Sequence, residues 1–167
     1  ESILIETPYI ICNNGMYETL AGFCEGGRRV QIMTNAIESG ANPFGCTDYL
    51  NEKKNILATG SEVFEVSCGQ SLHTKTILVD DHISMIGSYN LDLRSTYLDT
   101  ELMLVIDCPE LNQCLRENAS VKAEQSRHVL PDGTENEGPD FQGEMPFYKK
   151  AGYFLLRLLT GLFRYLL

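Results

Sequence analysis

Apolar residues along the chain switch between two rhythms. Ile3–Ile11 is a short run rich in β-branched side chains, broken by Pro8. It predicts a strand that stops near the proline, which lacks the amide a ladder needs. "GMYETLAGFCEGG" sets Met16, Leu20 and Phe23 at helical spacing before a Gly-Gly stop, and "RRVQIMTN" is a second strand. Strand, helix and strand in that order predict a parallel βαβ unit. Residues 36–46 contain Gly40, Asn42, Pro43 and Gly45 and predict a loop. "TDYLNEKKNILATG" predicts a helix capped by Thr47 or Asp48, and "SEVFEVSC" alternates as a strand does. Two apolar runs, Thr74–Val79 and Ile83–Ile86, flank Asp80-Asp81-His82 and predict a hairpin. "ELMLVID" is a further strand, and "PELNQCLREN" a helix with proline in its first turn.

These elements predict an α/β fold with a mixed, mostly parallel sheet flanked by helices. They occupy residues 1–118. Residues 119–144 turn polar and rich in Gly, Pro, Asp and Glu, predicting a surface segment or linker. Residues 145–167 form a separate basic, apolar helix. The chain opens at Glu1, almost directly inside a strand, and reads as a fragment of a longer protein.

Charge changes the picture in one respect. The formal net charge is −10, yet residues 145–167 carry Lys149, Lys150, Arg157 and Arg164 and no acid, leaving −14 on the rest. An acidic body argues against a broad surface for nucleic acid phosphates, and the basic tail points to a partner of its own. The six cysteines form no C-x-x-C pair, which argues against a zinc site and favours reduced thiols in the cytosol.

The chemistry concentrates in "SLHTKTILVDDHISMIGSYNLDLRS", Ser71 to Ser95. Residues two apart on a strand face the same way, so His73 and Lys75 point together, with Thr74 and Thr76 opposite. An imidazole beside an ammonium suits an anion: lysine holds a phosphate oxygen, and a neutral imidazole can attack phosphorus. Ser88 and Asn90 repeat the spacing after Gly87 and supply donors for a phosphoryl group gaining charge. Glu101, within an apolar strand, is a candidate acceptor to fix the tautomer of His73. Asp80, of opposite parity, is expected at the hairpin turn as a brace. The plainer readings stand beside these: a structural histidine, a snorkelling Lys75, Ser88 and Asn90 as turn formers, and Glu101 paired with Lys75 or Arg94.

His73, Lys75 and Asp80 resemble the H-x-K-x4-D signature of the phospholipase D superfamily, and "GSYNLDLRS" is similar to its G-S-x-N continuation. "ETPYI" and "VQIMTN" look like the strands preceding the motif in bacterial cardiolipin synthases and related phosphatidyltransferases. The resemblance covers about residues 2–118. It implies a phospholipase D-like half and phosphodiester exchange through a phosphohistidine, without metal or cofactor. Catalytic roles then fall to His73, Lys75, Asp80 and Glu101, and phosphate binding to Lys75, Ser88 and Asn90. It also implies a second motif-bearing half, from the same polypeptide or a second chain, because His82 and His128 lack the accompanying residues. The implied function is a phosphatidyltransferase acting on phospholipid, with no nucleic acid partner. A phospholipase or nuclease of the same superfamily is the alternative, and a silent membrane-associated half is a third reading.

In the tail, Lys150, Arg157 and Arg164 recur every seven residues as one basic stripe. Two interior arginines make a poor membrane span. Two placements remain: an interfacial helix at the cytoplasmic face of the membrane with arginines toward anionic headgroups, or a helix packed on the sheet or the second half.

Overall fold

The computed structural model describes residues 1–164. The chain runs β1 (Ser2–Glu6), α1 (Asn14–Glu25), β2 (Arg29–Asn35), α2 (Pro43–Ala58), β3 (Glu62–Val66), β4 (Thr76–Val79) and β5 (Ile83–Gly87). It continues with α3 (Leu93–Tyr97), β6 (Met103–Asp107), α4 (Pro109–Glu124), β7 (Ser126–Val129), β8 (Glu135–Glu137) and α5 (Phe147–Phe163). All eight strands join one sheet in the order β6-β5-β4-β1-β2-β3-β7-β8.

Alternation sorts the side chains between two helical layers. Ile3, Ile5, Val30, Ile32 and Val63 point to one face and pack with Leu20 of α1 and Tyr49 and Ile56 of α2. Leu4, Met33, Phe64, Val66 and Leu78 point to the other and meet Ala119 of α4. The α/β class with helices on both faces is as expected, but the sheet is not mostly parallel. Only β1–β2 and β2–β3 are parallel pairs, and the other five are antiparallel. A βαβ rhythm in the first third of the chain does not continue into hairpins.

Two boundaries move. Asn42 caps α2 by accepting from Phe44 N at 3.0 Å, so Thr47 and Asp48 are interior, buried helical residues rather than caps. Residues 119–144 are not a linker: α4 runs to Glu124, and β7 and β8 extend the sheet. Lys122, in that stretch, ion-pairs with Glu6, which is buried on the central strand. The tail is helical as expected, although residues 165–167 lie outside the described residues. One side of it packs on α2 and not on the sheet. Arg157 Nε donates to Asn51 Oδ1 at 2.8 Å, and Arg164 Nε to Asp48 Oδ1 at 2.9 Å. Burial pushes the Asp48 carboxyl up, and Arg164 opposes that shift. Both arginines thus engage α2, Arg157 while still exposed and Arg164 partly buried, and Phe154, Leu155, Leu158 and Leu162 are exposed. Among the described residues no helix is long and apolar enough to cross a membrane.

Candidate active site

β1, β2 and β3 all finish at one end of the sheet. β4 runs antiparallel to β1 and starts there, with Thr76 opposite Glu6. The ends of β5 and the start of β6 also lie there, Gly87 opposite Met103. Buried contacts hold the loops at this end. Asn35, at the last position of β2, donates to Leu72 O at 2.9 Å and Pro8 O at 3.1 Å and accepts from Leu72 N at 2.6 Å. It thereby fixes both backbone groups of the residue before His73. Thr7 Oγ1 accepts from Leu91 N at 3.0 Å, and Leu91 O accepts from Ile11 N at 2.9 Å, locking the Asn90 loop to the segment after β1.

His73 and Lys75 lie just ahead of β4, not within it, directly after Leu72, whose backbone groups Asn35 holds. Ladder pairing still reaches Lys75, whose carbonyl accepts from Gly87 N at 3.2 Å. The two side chains share a face as expected. The Lys75 ammonium is 3.2 Å from His73 Nδ1, 3.4 Å from Nε2 and 3.0 Å from the His73 carbonyl oxygen. Burial draws the Lys75 ammonium below the ordinary lysine range, and the carboxylates of Glu101 and Asp92 oppose that shift.

Gly87 is required by a close approach: a Cβ there would stand 2.0 Å from the carbonyl oxygen of Leu102. That proximity brings Ser88 onto Glu101. Ser88 Oγ donates to Glu101 Oε2 and accepts from Leu102 N at 3.1 Å. Glu101 precedes β6 and is half-buried, so it is not inside an apolar strand, and its carboxylate engages Ser88 rather than His73. Arg94, the other partner considered for it, pairs with Asp99 at 2.9 Å. Asn90 has its Oδ1 acceptor buried without a partner among the described residues. Asp80 stands at the opposite end of β4, in the hairpin turn, away from the other five residues.

The two remaining histidines have structural partners. His82 pairs with Asp81 at 3.0 Å in the turn, and His128 stacks on Phe64 with ring centroids 4.1 Å apart. Sequence reasoning overlooked two residues of the site. Asn35 reads as an ordinary strand end. Asp92 accepts from Ser95 N at 2.6 Å as the N-cap of α3 and is buried near Lys75. "DLRS" carries a capping signal that would have located it.

This geometry can be set beside known proteins. The family described as "Cardiolipin synthase, PLD-like domain" matches residues 1–120. The chain belongs to that family. Among members of known sequence, cardiolipin synthase A of Erwinia tasmaniensis is 32% identical over 108 residues, 64% of this chain and 21% of its own length. An uncharacterized protein of Helicobacter pylori is 27% identical over 143 residues, 78% of this chain and 28% of its own. This PLD-like domain thus spans about a quarter of the relatives it matches. In fold it is similar to phosphatidylserine synthase of Haemophilus influenzae, with a TM-score of 0.68 at 18% identity, covering all of this chain and 42% of that one. It is also similar to the phospholipase D family member Nuc of Salmonella typhimurium, with a TM-score of 0.64 at 21% identity over 77% of this chain and 82% of that one.

Proposed function

We propose that this domain supplies one half of a phosphatidyltransferase site of the cardiolipin synthase kind. The observation that carries the reading is the Lys75 ammonium held against the ring of His73 and near Glu101, which in turn holds Ser88. In that reading Lys75 holds a non-bridging phosphoryl oxygen, and a ring nitrogen of His73 attacks phosphorus. A P–N bond forms as the P–O bond to the first alcohol breaks, and that alcohol takes a proton from a second histidine. An incoming alcohol returns the proton to the second histidine, attacks phosphorus and releases His73. Glu101 orients Ser88, and Asn90 completes the phosphate cradle with its amide. Asp80 braces the hairpin and touches no substrate.

The second histidine belongs to a second motif-bearing half, in a longer polypeptide or a partner chain. The likeness to a phosphatidylserine synthase more than twice this length supports that arrangement. Lipid is favoured over nucleic acid by the −14 outside the tail and by the exposed apolar side of α5, which would rest on the cytoplasmic membrane surface. Water in place of the incoming alcohol turns the same steps into hydrolysis.

Reactions of the full-length protein with phosphorus-labelled phosphatidylglycerol, quenched in alkaline detergent, test this reading. Label is expected on a histidine, lost on acid treatment, with turnover abolished in His73→Ala. Full turnover by that variant would remove the catalytic reading. Nicked DNA with untouched lipid in parallel incubations would overturn the choice of substrate.

A further inference from the structure

On the α1 side of the sheet, no helix among the described residues lies directly over β4 and β5. They leave an apolar groove of about 350 Å³ between α1 and the hairpin, lined by Ile5, Met16, Phe23, Ile77, Met85 and Tyr89 among others. We infer that this groove holds an acyl chain of the lipid whose phosphodiester sits at His73 and Lys75. The inference rests on the proposed phosphatidyltransferase reading and gives it a binding site for hydrocarbon.

Three observations identify the occupant. First, groove and site share one strip of the sheet. Pairing extends to Lys75 through the Gly87 N–H, so Lys75, Ile77 and Val79 alternate onto one face, and the Lys75 ammonium reaches back to His73. From Lys75 to Val79 the strip runs about 13 Å, its first residue charged and the next two apolar. A molecule with an anionic end and a hydrocarbon continuation matches that order. Second, Tyr89 lines the groove and stands between Ser88 and Asn90, so the loop that presents the phosphate cradle also forms a groove wall. Third, the lining offers no free hydrogen-bonding group to a sugar or a base. Its two hydroxyls are already engaged: Thr19 Oγ1 donates to Gly15 O at 2.8 Å, and Tyr89 Oη is 2.8 Å from Thr96 Oγ1. A nucleic acid strand would leave this surface unmatched, whereas each methylene buried in it contributes roughly fourfold in affinity.

The test compares dihexanoyl- with dipalmitoyl-phosphatidylglycerol in mixed micelles, using the full-length protein and its Ile77→Trp and Met85→Trp variants. Filling the groove is expected to lower the ratio of kcat/KM for the long-chain lipid to that for the short-chain lipid at least tenfold. An unchanged ratio would overturn the groove assignment. So would an unchanged ratio accompanied by a loss of association between halves in sedimentation, which would give the groove to protein. Because tryptophan variants can misfold, wild-type protein is also irradiated with phosphatidylglycerol carrying a diazirine near the middle of its acyl chain. Cross-links are expected on peptides containing Met16 or Ile77, and cross-links confined to α5 would overturn the proposal. Absence of turnover on either lipid, with cleavage of DNA retained, would instead sink the phosphatidyltransferase reading.

Discussion

The carboxylate of Asp80 accepts the backbone N–H of Ser2 at 2.8 Å, at the far end of β4 from His73. The Asp80 amide returns a bond to Ser2 O at 2.9 Å, and Arg116 donates to the Asp80 carbonyl. With φ at 49°, Asp80 occupies the left-handed region, where Asp and Asn are tolerated and most residues are not. Asp80→Ala is therefore expected to lower stability by about 2 kcal/mol, adding backbone strain to a lost charge-assisted bond. Asp80→Asn keeps an acceptor and a compatible backbone and should lose clearly less. Urea unfolding midpoints for the two variants check the order.

Lys75 trades stability for charge. A lysine whose folded pKa lies below its unfolded value binds fewer protons when folded, across the window just below the ordinary lysine value of about 10.4. Its contribution to stability therefore rises with pH through that window, and at neutral pH the partly buried charge is a small cost. Lys75→Met is expected to remove this slope and leave the neutral-pH melting temperature undiminished, while turnover falls at least ~1,000-fold. A large drop in melting temperature would instead assign Lys75 a structural role.

Asn35 acts through the backbone of Leu72. Asn35→Ala would strand a buried N–H and carbonyl next to His73 and is expected to lower stability by about 2–3 kcal/mol. Under the proposed reading it displaces His73 and not the lipid contacts, so kcat should fall at least ~10-fold with KM nearly constant. The split between kcat and KM measured on folded protein separates positioning from general loss of fold.

Much of this was legible in sequence because it depends on local spacing. The hairpin, the common side of His73 and Lys75, and the place of Asp80 in the turn all follow from parity along a few residues. Contacts between distant segments were not legible. Glu101 lies beside Ser88 because Gly87 lets the Leu102 backbone close in, and no spacing rule reports a missing Cβ's neighbour. The same reason hid β7 and β8: polar side chains such as Arg127, which pairs with Glu65 and Glu38, look like a surface segment until their partners are known. The mostly parallel sheet was an extrapolation from one βαβ unit, and the long-range pairing of β4 with β1 defeats it.

The tail separates two kinds of membrane contact. With Arg157 and Arg164 engaged on α2 and Leu155 and Leu158 exposed, vesicle binding through α5 should be driven by apolar burial. Leu155→Ser with Leu158→Ser is expected to weaken sedimentation with anionic vesicles at least ~10-fold, and raising salt from 50 to 300 mM should change it little. A steep salt dependence would put the arginines, not the leucines, at the lipid.

The position of β1 in the sheet has a kinetic consequence. This strand is central, yet one neighbour, β2, follows within thirty residues while the other, β4, arrives only at Thr76. Loop closure of that length is slow, because its entropy is lost before the contacts form. His73 and Lys75 travel with β4, so the candidate site is assembled at the late, non-local step. During refolding, helical signal should return before the ability to bind phosphate.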